Sequence, residues 1–133
     1  MNYLKGRLVK LMIDFWEEDF RRITHALAVM RYSEIIMPDF CDYDHDVILA
    51  ASLLHDVGIK PSEAQLGYNN GKTQEQFGPA VATELLESIS FPEEKIKKVA
   101  EIISNHHSPD RYDYVELKIL KLADRIVNAA DPD

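Results

Sequence analysis

Three polar positions stand where the surrounding chain is apolar, and each carries a metal-ligand type of side chain. His25 lies between Ile23 and Leu27. His55-Asp56 closes the run Val47-Ile48-Leu49-Ala50-Ala51-Ser52-Leu53-Leu54, and Asp124 shares a helical face with Leu117, Leu120 and Val127. Burying an imidazole or a carboxylate costs several kcal/mol unless it is paired or coordinates a cation. Four such groups on three helices have one common solution, a divalent cation held inside a bundle. Two nitrogen and two oxygen donors suit Mn, Fe, Zn or Mg better than a soft metal. The helix that ends at His55-Asp56 also directs its negative pole toward that site. Taken singly, each residue has a plainer reading. His25 alone reads as a satisfied core histidine, and Asp124 alone as a partner of Arg125 or Lys121, although those fall on other faces. His-Asp is also a common dipeptide, and His45-Asp46 is a second copy in a polar stretch. Their order and their apolar contexts together point to a site.

Periodicity and punctuation supply the elements that must position these groups. A first helix is expected over about Leu4 to Trp16. A second, from about Glu18 to Met37, carries Ile23, Leu27, Met30 and Ile35 at helical spacing and stops at Pro38. Asp42 or Asp44 caps a third, which runs to His55-Asp56; being apolar all round, it belongs at the centre of the fold. Gly58 suits the left-handed position that ends a helix. Lys60 to Thr73 reads as the one extended loop, with Gly67-Tyr68-Asn69-Asn70-Gly71-Lys72 at its heart. Pro79 fits the first turn of a fourth helix reaching Ser88, and Pro92 opens a fifth with the stripe Ile96, Val99, Ile102 and Ile103. That helix ends at His106-His107-Ser108-Pro109. The last, about Tyr114 to Ala129, buries Leu117, Leu120, Ala123 and Val127. No segment reads as a strand. The expected fold is all-α, a single-domain bundle of five to six helices across residues 1–133.

Composition narrows the function classes. The chain has 133 residues, 46% hydrophobic and 29% charged, and a formal net charge of −8. Such a surface repels duplex DNA and anionic membranes, because both are bound by neutralising phosphates with Lys and Arg. DNA binding is therefore not expected, whereas a small phosphorylated substrate stays open where a local cation offsets the charge. The single cysteine, Cys41, excludes an intramolecular disulfide and reads as a small, buried or half-buried hydrophobe. No stretch is long enough to span a bilayer, and Met1-Asn2-Tyr3-Leu4-Lys5-Gly6 lacks an apolar leader segment. The expected location is cytoplasmic.

The order of these groups resembles the HD-domain superfamily of metal-dependent phosphohydrolases. The resemblance is carried by Arg22-Ile23-Thr24-His25, by Ala51-Ser52-Leu53-Leu54-His55-Asp56-Val57-Gly58, by Ile103-Ser104-Asn105-His106-His107 and by Lys121-Leu122-Ala123-Asp124-Arg125. It spans residues 22 to 125. The stretches Gly58-Ile59-Lys60-Pro61 and Gln74-Glu75-Gln76-Phe77-Gly78-Pro79 look like a small single-domain subgroup of that superfamily. The resemblance implies an all-α core and one divalent ion (Mn, Fe, Mg, Zn, Co or Ni) on His25, His55, Asp56 and Asp124. It also implies hydrolysis of a phosphate ester or anhydride. Some family features differ. Gly78 stands where two-metal members have another His, which leaves a second ion without its full ligand set. Ser108-Pro109-Asp110-Arg111-Tyr112 replaces the Asp-Gly-x-Gly-Tyr-Pro-like segment of cyclic-dinucleotide phosphodiesterases. Ile59-Lys60 stands where alarmone hydrolases carry an acidic pair.

The reaction implied is attack of metal-bound water on a phosphoryl group of a small, nucleotide-like substrate, without resolving monoesterase from diesterase. Asp56, ligating through one oxygen, is the candidate acceptor of the water proton. His106 or His107 is the candidate donor to the leaving oxygen or a ligand of a second, weaker ion; the plain alternative is a pair of solvated histidines. Arg22 and Lys60 are candidate phosphate clamps, with Tyr68, Gln74 and Glu75 shaping substrate choice. Two other classes stand beside this one. A domain that binds metal and nucleotide without turnover would act as a sensor, and a helical interaction module would fold without metal. The oligomeric state is left open.

Overall fold

The computed structural model describes residues 3–130. Met1, Asn2 and residues 131–133, the two ends of the domain expected over 1–133, lie outside the described residues. Within them the chain forms helices α1 (Leu4–Trp16), α2 (Phe20–Ile36), α3 (His45–Leu54), α4 (Ile59–Leu66), α5 (Gly71–Ser88), α6 (Glu93–Ile103) and α7 (Val115–Ala130). A 3-10 turn follows α2 at Met37–Asp39, and no strand is present among the described residues. No helix is long and apolar enough to cross a membrane. The Cys41 thiol, expected to be buried or half-buried, is exposed.

Helix α3 is the axle of the bundle. Every residue from Val47 to Leu54 is buried, and α1, α2, α6 and α7 all pack against it. The one polar side chain of that run, Ser52, is satisfied by Ser33 of α2, with the two hydroxyl oxygens 2.8 Å apart. Asp44 starts the helix, its carboxylate accepting from the amides of Asp46 and Val47. The same cap is tied to α7, because the amide of Asp44 donates to Oε2 of buried Glu116 at 2.7 Å. Lys98 of α6 lies 3.0 Å from the other Glu116 oxygen. A buried carboxylate held from both sides fixes the register of α7, and hence where Asp124 falls.

Two expected features take a different form. The extended loop of Lys60–Thr73 is mostly helix α4, whose Ile59 and Ser62 are buried. Pro61 is tolerated there because a first-turn amide has no helical partner to lose. Gly58 is right-handed (φ −65°), and the left-handed glycine is Gly67 (φ 80°) at the end of α4. What Gly58 supplies is room. A Cβ on it would lie 2.6 Å from the Gln74 carbonyl oxygen and 2.7 Å from the Gly78 amide nitrogen.

Helix α5 begins at Gly71 rather than at Pro79. Asn70 and Thr73 form a reciprocal cap, each side chain accepting from the other's amide at 2.9 and 3.0 Å. Pro79 therefore sits in the helix interior, where it forfeits one amide hydrogen bond. Packing offsets that loss: α5 lies along both α4 and α6. Gly78 permits the approach, since a Cβ there would meet Ile103 Cγ2 of α6 at 2.7 Å.

Candidate metal centre

Helix α2 and the turn after α3 group His25, His55 and Asp56, and helix α7 sets Asp124 against the two histidines. His25 Nε2 lies 3.1 Å from Asp124 Oδ1, 3.3 Å from His55 Nε2 and 3.4 Å from Asp56 Oδ2. His55 Nε2 lies 3.4 Å from the same Asp56 oxygen and 3.5 Å from Asp124 Oδ1. Nitrogen and oxygen ligands at about 2.0–2.2 Å from one ion stand roughly 2.8–3.6 Å apart, for angles between a right angle and the tetrahedral one. The observed spacings fall in that window.

The chemistry of the donor set asks for a cation. Ionised carboxylates only accept hydrogen bonds. His55 Nδ1 donates to the Ser52 carbonyl at 2.8 Å, which turns the Nε2 lone pair of the neutral ring toward the cluster. Three lone-pair atoms thus face one another around His25, and a proton or a metal ion must sit among them. Burial opposes a charge on His55, yet the Asp56 and Asp124 carboxylates overcome it and raise its pKa to about 9. Burial would likewise raise Asp124, but hydrogen bonds and charge from His25 and His55 hold it well below the usual carboxylate range.

His106 and His107 stand beside this cluster in different states. His106 is buried, and its Nδ1 donates to the Ile103 carbonyl at 2.6 Å. Its Nε2 has no hydrogen-bond partner and lies 3.9 Å from Asp56 Oδ1. Burial, reinforced by the neighbouring His55 and His107, depresses its pKa to about 3. His107 is more exposed. Its Nε2 meets Gln74 Oε1 at 2.5 Å and its amide donates to Glu75 at 2.9 Å. Asp56, His106 and His107 form a second set whose ligand atoms lie within 4.8 Å of one another. The solvated-loop alternative does not describe His106, which is buried, whereas His107 is exposed, with α5 close beside it: a Cβ on Gly71 would touch the His107 ring at 3.1 Å.

The family model of the HD domain matches residues 22–129, a span that includes all six of these histidine and aspartate side chains. The chain belongs to the HD domain family. A crystal structure described as a "predicted HD superfamily hydrolase", from an uncultured Thermotogales bacterium, is similar at 26% identity and a TM-score of 0.70. The likeness covers 92% of this chain and 67% of that one. No curated protein matches the chain.

In this HD domain His25, Asp56 and Asp124 line a cleft of about 420 Å³ together with Arg21, Arg22, Tyr32, Ile59, Gln74, His107 and Asn128, while His55 is fully buried beside them. Arg22 therefore reaches the cleft, as does Gln74. Lys60 does not. Its Nζ donates to the Phe15 carbonyl at 2.6 Å and lies over the Phe15 ring, 3.9 Å from Glu17. Because α4 starts immediately after the His-Asp turn, the helix carries Lys60 onto α1, and the expected phosphate contact is not formed. Glu75 supports His107 and Ser108. Tyr68 is exposed, with its carbonyl bonded to Ser62. Sequence reasoning passed over Tyr32 and Asn128, although a signal existed: they stand two turns beyond His25 and one turn beyond Asp124, on the ligand faces of α2 and α7.

Proposed function

We propose that the protein is a metal-dependent phosphohydrolase that cleaves a phosphate ester or anhydride of a small, nucleotide-like substrate. His25, His55, Asp56 and Asp124 are the proposed holders of one divalent cation. The observation that carries the reading is that both His25 and His55 stand 3.1–3.5 Å from a carboxylate oxygen of Asp56 and of Asp124, and 3.3 Å from each other, with His25, His55 and Asp56 grouped within 4.8 Å. A divalent ion held there would lower the pKa of water and polarise a phosphoryl oxygen. Asp56 divides its labour: Oδ2 faces His25 and His55, while Oδ1 faces His106 and can hold a proton of the attacking water. His106 presents an unprotonated Nε2 to the same place and orients that proton. His107, positioned by Gln74, stands at the mouth of the cleft and serves the leaving oxygen. Arg22 binds the phosphate charge.

A phosphate-release screen over nucleotides and simple phosphoesters, with Mn, Mg, Fe, Co and Ni each supplied, tests the reading. Release is expected with at least one metal, lost on chelation and lost again in Asp56→Ala together with most bound metal. Tight binding of metal and nucleotide without any release would assign the chain to the sensing class instead. A folded chain with no affinity for any of these ions would leave it a helical module.

A further inference from the structure

Two adjacent histidines present opposite ring nitrogens. His106 donates through Nδ1 to the Ile103 carbonyl and keeps Nε2 for the centre, whereas His107 is engaged through Nε2, 2.5 Å from Gln74 Oε1. The Cδ2 edge of the His107 ring lies along α5, since a Cβ on Gly71 would meet Cβ, Cγ and Cδ2 at 3.0, 3.1 and 3.6 Å. Nδ1 makes no hydrogen bond among the described residues. Which nitrogen of a neutral imidazole carries the proton is set by whether its partner accepts or donates. The side-chain amide of Gln74 can do either, so the choice passes along a chain. Gln74 Nε2 donates to Asn69 Oδ1 at 2.9 Å, and Asn69 Nδ2 donates to Glu63 Oε2 at 2.9 Å. An ionised carboxylate only accepts. Glu63 therefore draws the NH2 group of Asn69, which turns Asn69 Oδ1 to Gln74 and Gln74 Oε1 to His107. Reversing both amides would set Asn69 Oδ1 against the carboxylate, two acceptors at hydrogen-bond distance. The local fold closes this chain: left-handed Gly67 ends α4 just before Asn69, and Gln74 is buried in the first turns of α5. Glu75 holds the backbone beneath the ring by accepting from the His107 amide and the Ser108 hydroxyl.

We infer that Glu63, Asn69 and Gln74 are positioning residues: the Glu63 carboxylate, acting through two amides, keeps the proton of His107 on Nε2 and leaves Nδ1 for a bound ligand. In the phosphohydrolase reading, on which the catalytic consequence rests, His107 then exchanges a proton with the leaving oxygen through Nδ1 alone.

Proton–nitrogen correlation NMR of the histidine rings tests the chain without turnover, on the full chain with diamagnetic Mg at a pH where the ring is neutral. In wild type the form protonated on Nε2 is expected to exceed the other at least about tenfold. Glu63→Lys replaces an acceptor by a group that only donates, at an exposed position of α4 where lysine is a good helix former. Both amides then reverse, and the proton of His107 is expected to move to Nδ1. Adding Gln74→Glu to that variant places an acceptor directly against His107 and should return the proton to Nε2. A wild-type proton on Nδ1, or a pattern unmoved by Glu63→Lys, would overturn the inference. So would a reversal that persists in the double variant, because the lysine charge would then be acting through space. A failure of the phosphohydrolase reading is separable, since it appears as absent phosphate release while the His107 proton still follows residue 63.

Discussion

His55 and His106 make similar backbone contacts through Nδ1 and yet settle in opposite charge states. Both donate to a carbonyl three residues earlier, Ser52 in one case and Ile103 in the other. His55, though burial opposes its charge, faces two carboxylates and has its pKa raised to about 9, whereas burial, added to by the charge of His55, lowers that of His106 to about 3. The ordinary value for both is 6.5. In metal-free protein the stability from charged His55 is therefore fully present below pH 6.5 and lost as pH rises through 9. His106 acts on the acid side: as pH falls from 6.5 toward 3, the unfolded chain takes up a proton that the fold refuses, and stability declines. Metal binding must displace the His55 proton. Metal affinity is thus expected to tighten by about tenfold per pH unit between pH 6.5 and 9 and then level off. Mn titrations at several pH values would show it, and an affinity independent of pH in that window would contradict the ligand role of His55.

At the scale of elements, the site depends on how closely α4 and α5 approach. Gly58 is right-handed, so on conformational grounds alone Gly58→Ala would stabilise by about 0.4–1 kcal/mol through the unfolded chain. The added Cβ, however, would lie 2.6 and 2.7 Å from backbone atoms of Gln74 and Gly78, which cannot rotate away. Overpacking of this kind costs about 1–3 kcal/mol, and it outweighs the gain. Gly58→Ala is expected to lower Tm and, by shifting Gln74 off His107, to lower turnover as well. Thermal melts and kinetics on the variant check this. A raised Tm would mean that the contact between α4 and α5 is looser than the structure shows.

At the scale of the molecule, the bundle is closed around an acidic, lone-pair-rich centre, with α3 as its apolar axis. The proposed ligands come from α2, the end of α3 and α7, so an ion bound among them would cross-link three helices that are distant in sequence. The unfolded chain offers no such arrangement. At a free ion concentration one hundred times Kd, binding adds about 2.7 kcal/mol. For a domain of this size that corresponds to a rise in Tm of roughly 10 °C. Melts with and without Mn, and after chelation, measure it; an unchanged Tm at saturating metal would mean that no ion is held between these helices.

Much of this architecture was legible in the residues themselves. Helical periodicity is a local property, and an apolar run such as Val47–Leu54 can lie only at the centre of a bundle. Polar side chains set in apolar faces mark positions that need a partner, which made His25, His55, Asp56 and Asp124 visible as a candidate group before their distances were known. Helix α4, the interior place of Pro79 and the direction of Lys60 were not legible, because each is decided by packing between segments. A glycine and a proline that read locally as stop and start signals serve here as close-contact and mid-helix residues, since α5 gains more from lying on α4 and α6 than it loses at one amide. Only tertiary structure could bury His106 and Glu116 or bring Arg22 and Gln74 into one cleft. Burial and side-chain direction follow from which helices meet, and that is set by contacts far apart in the chain.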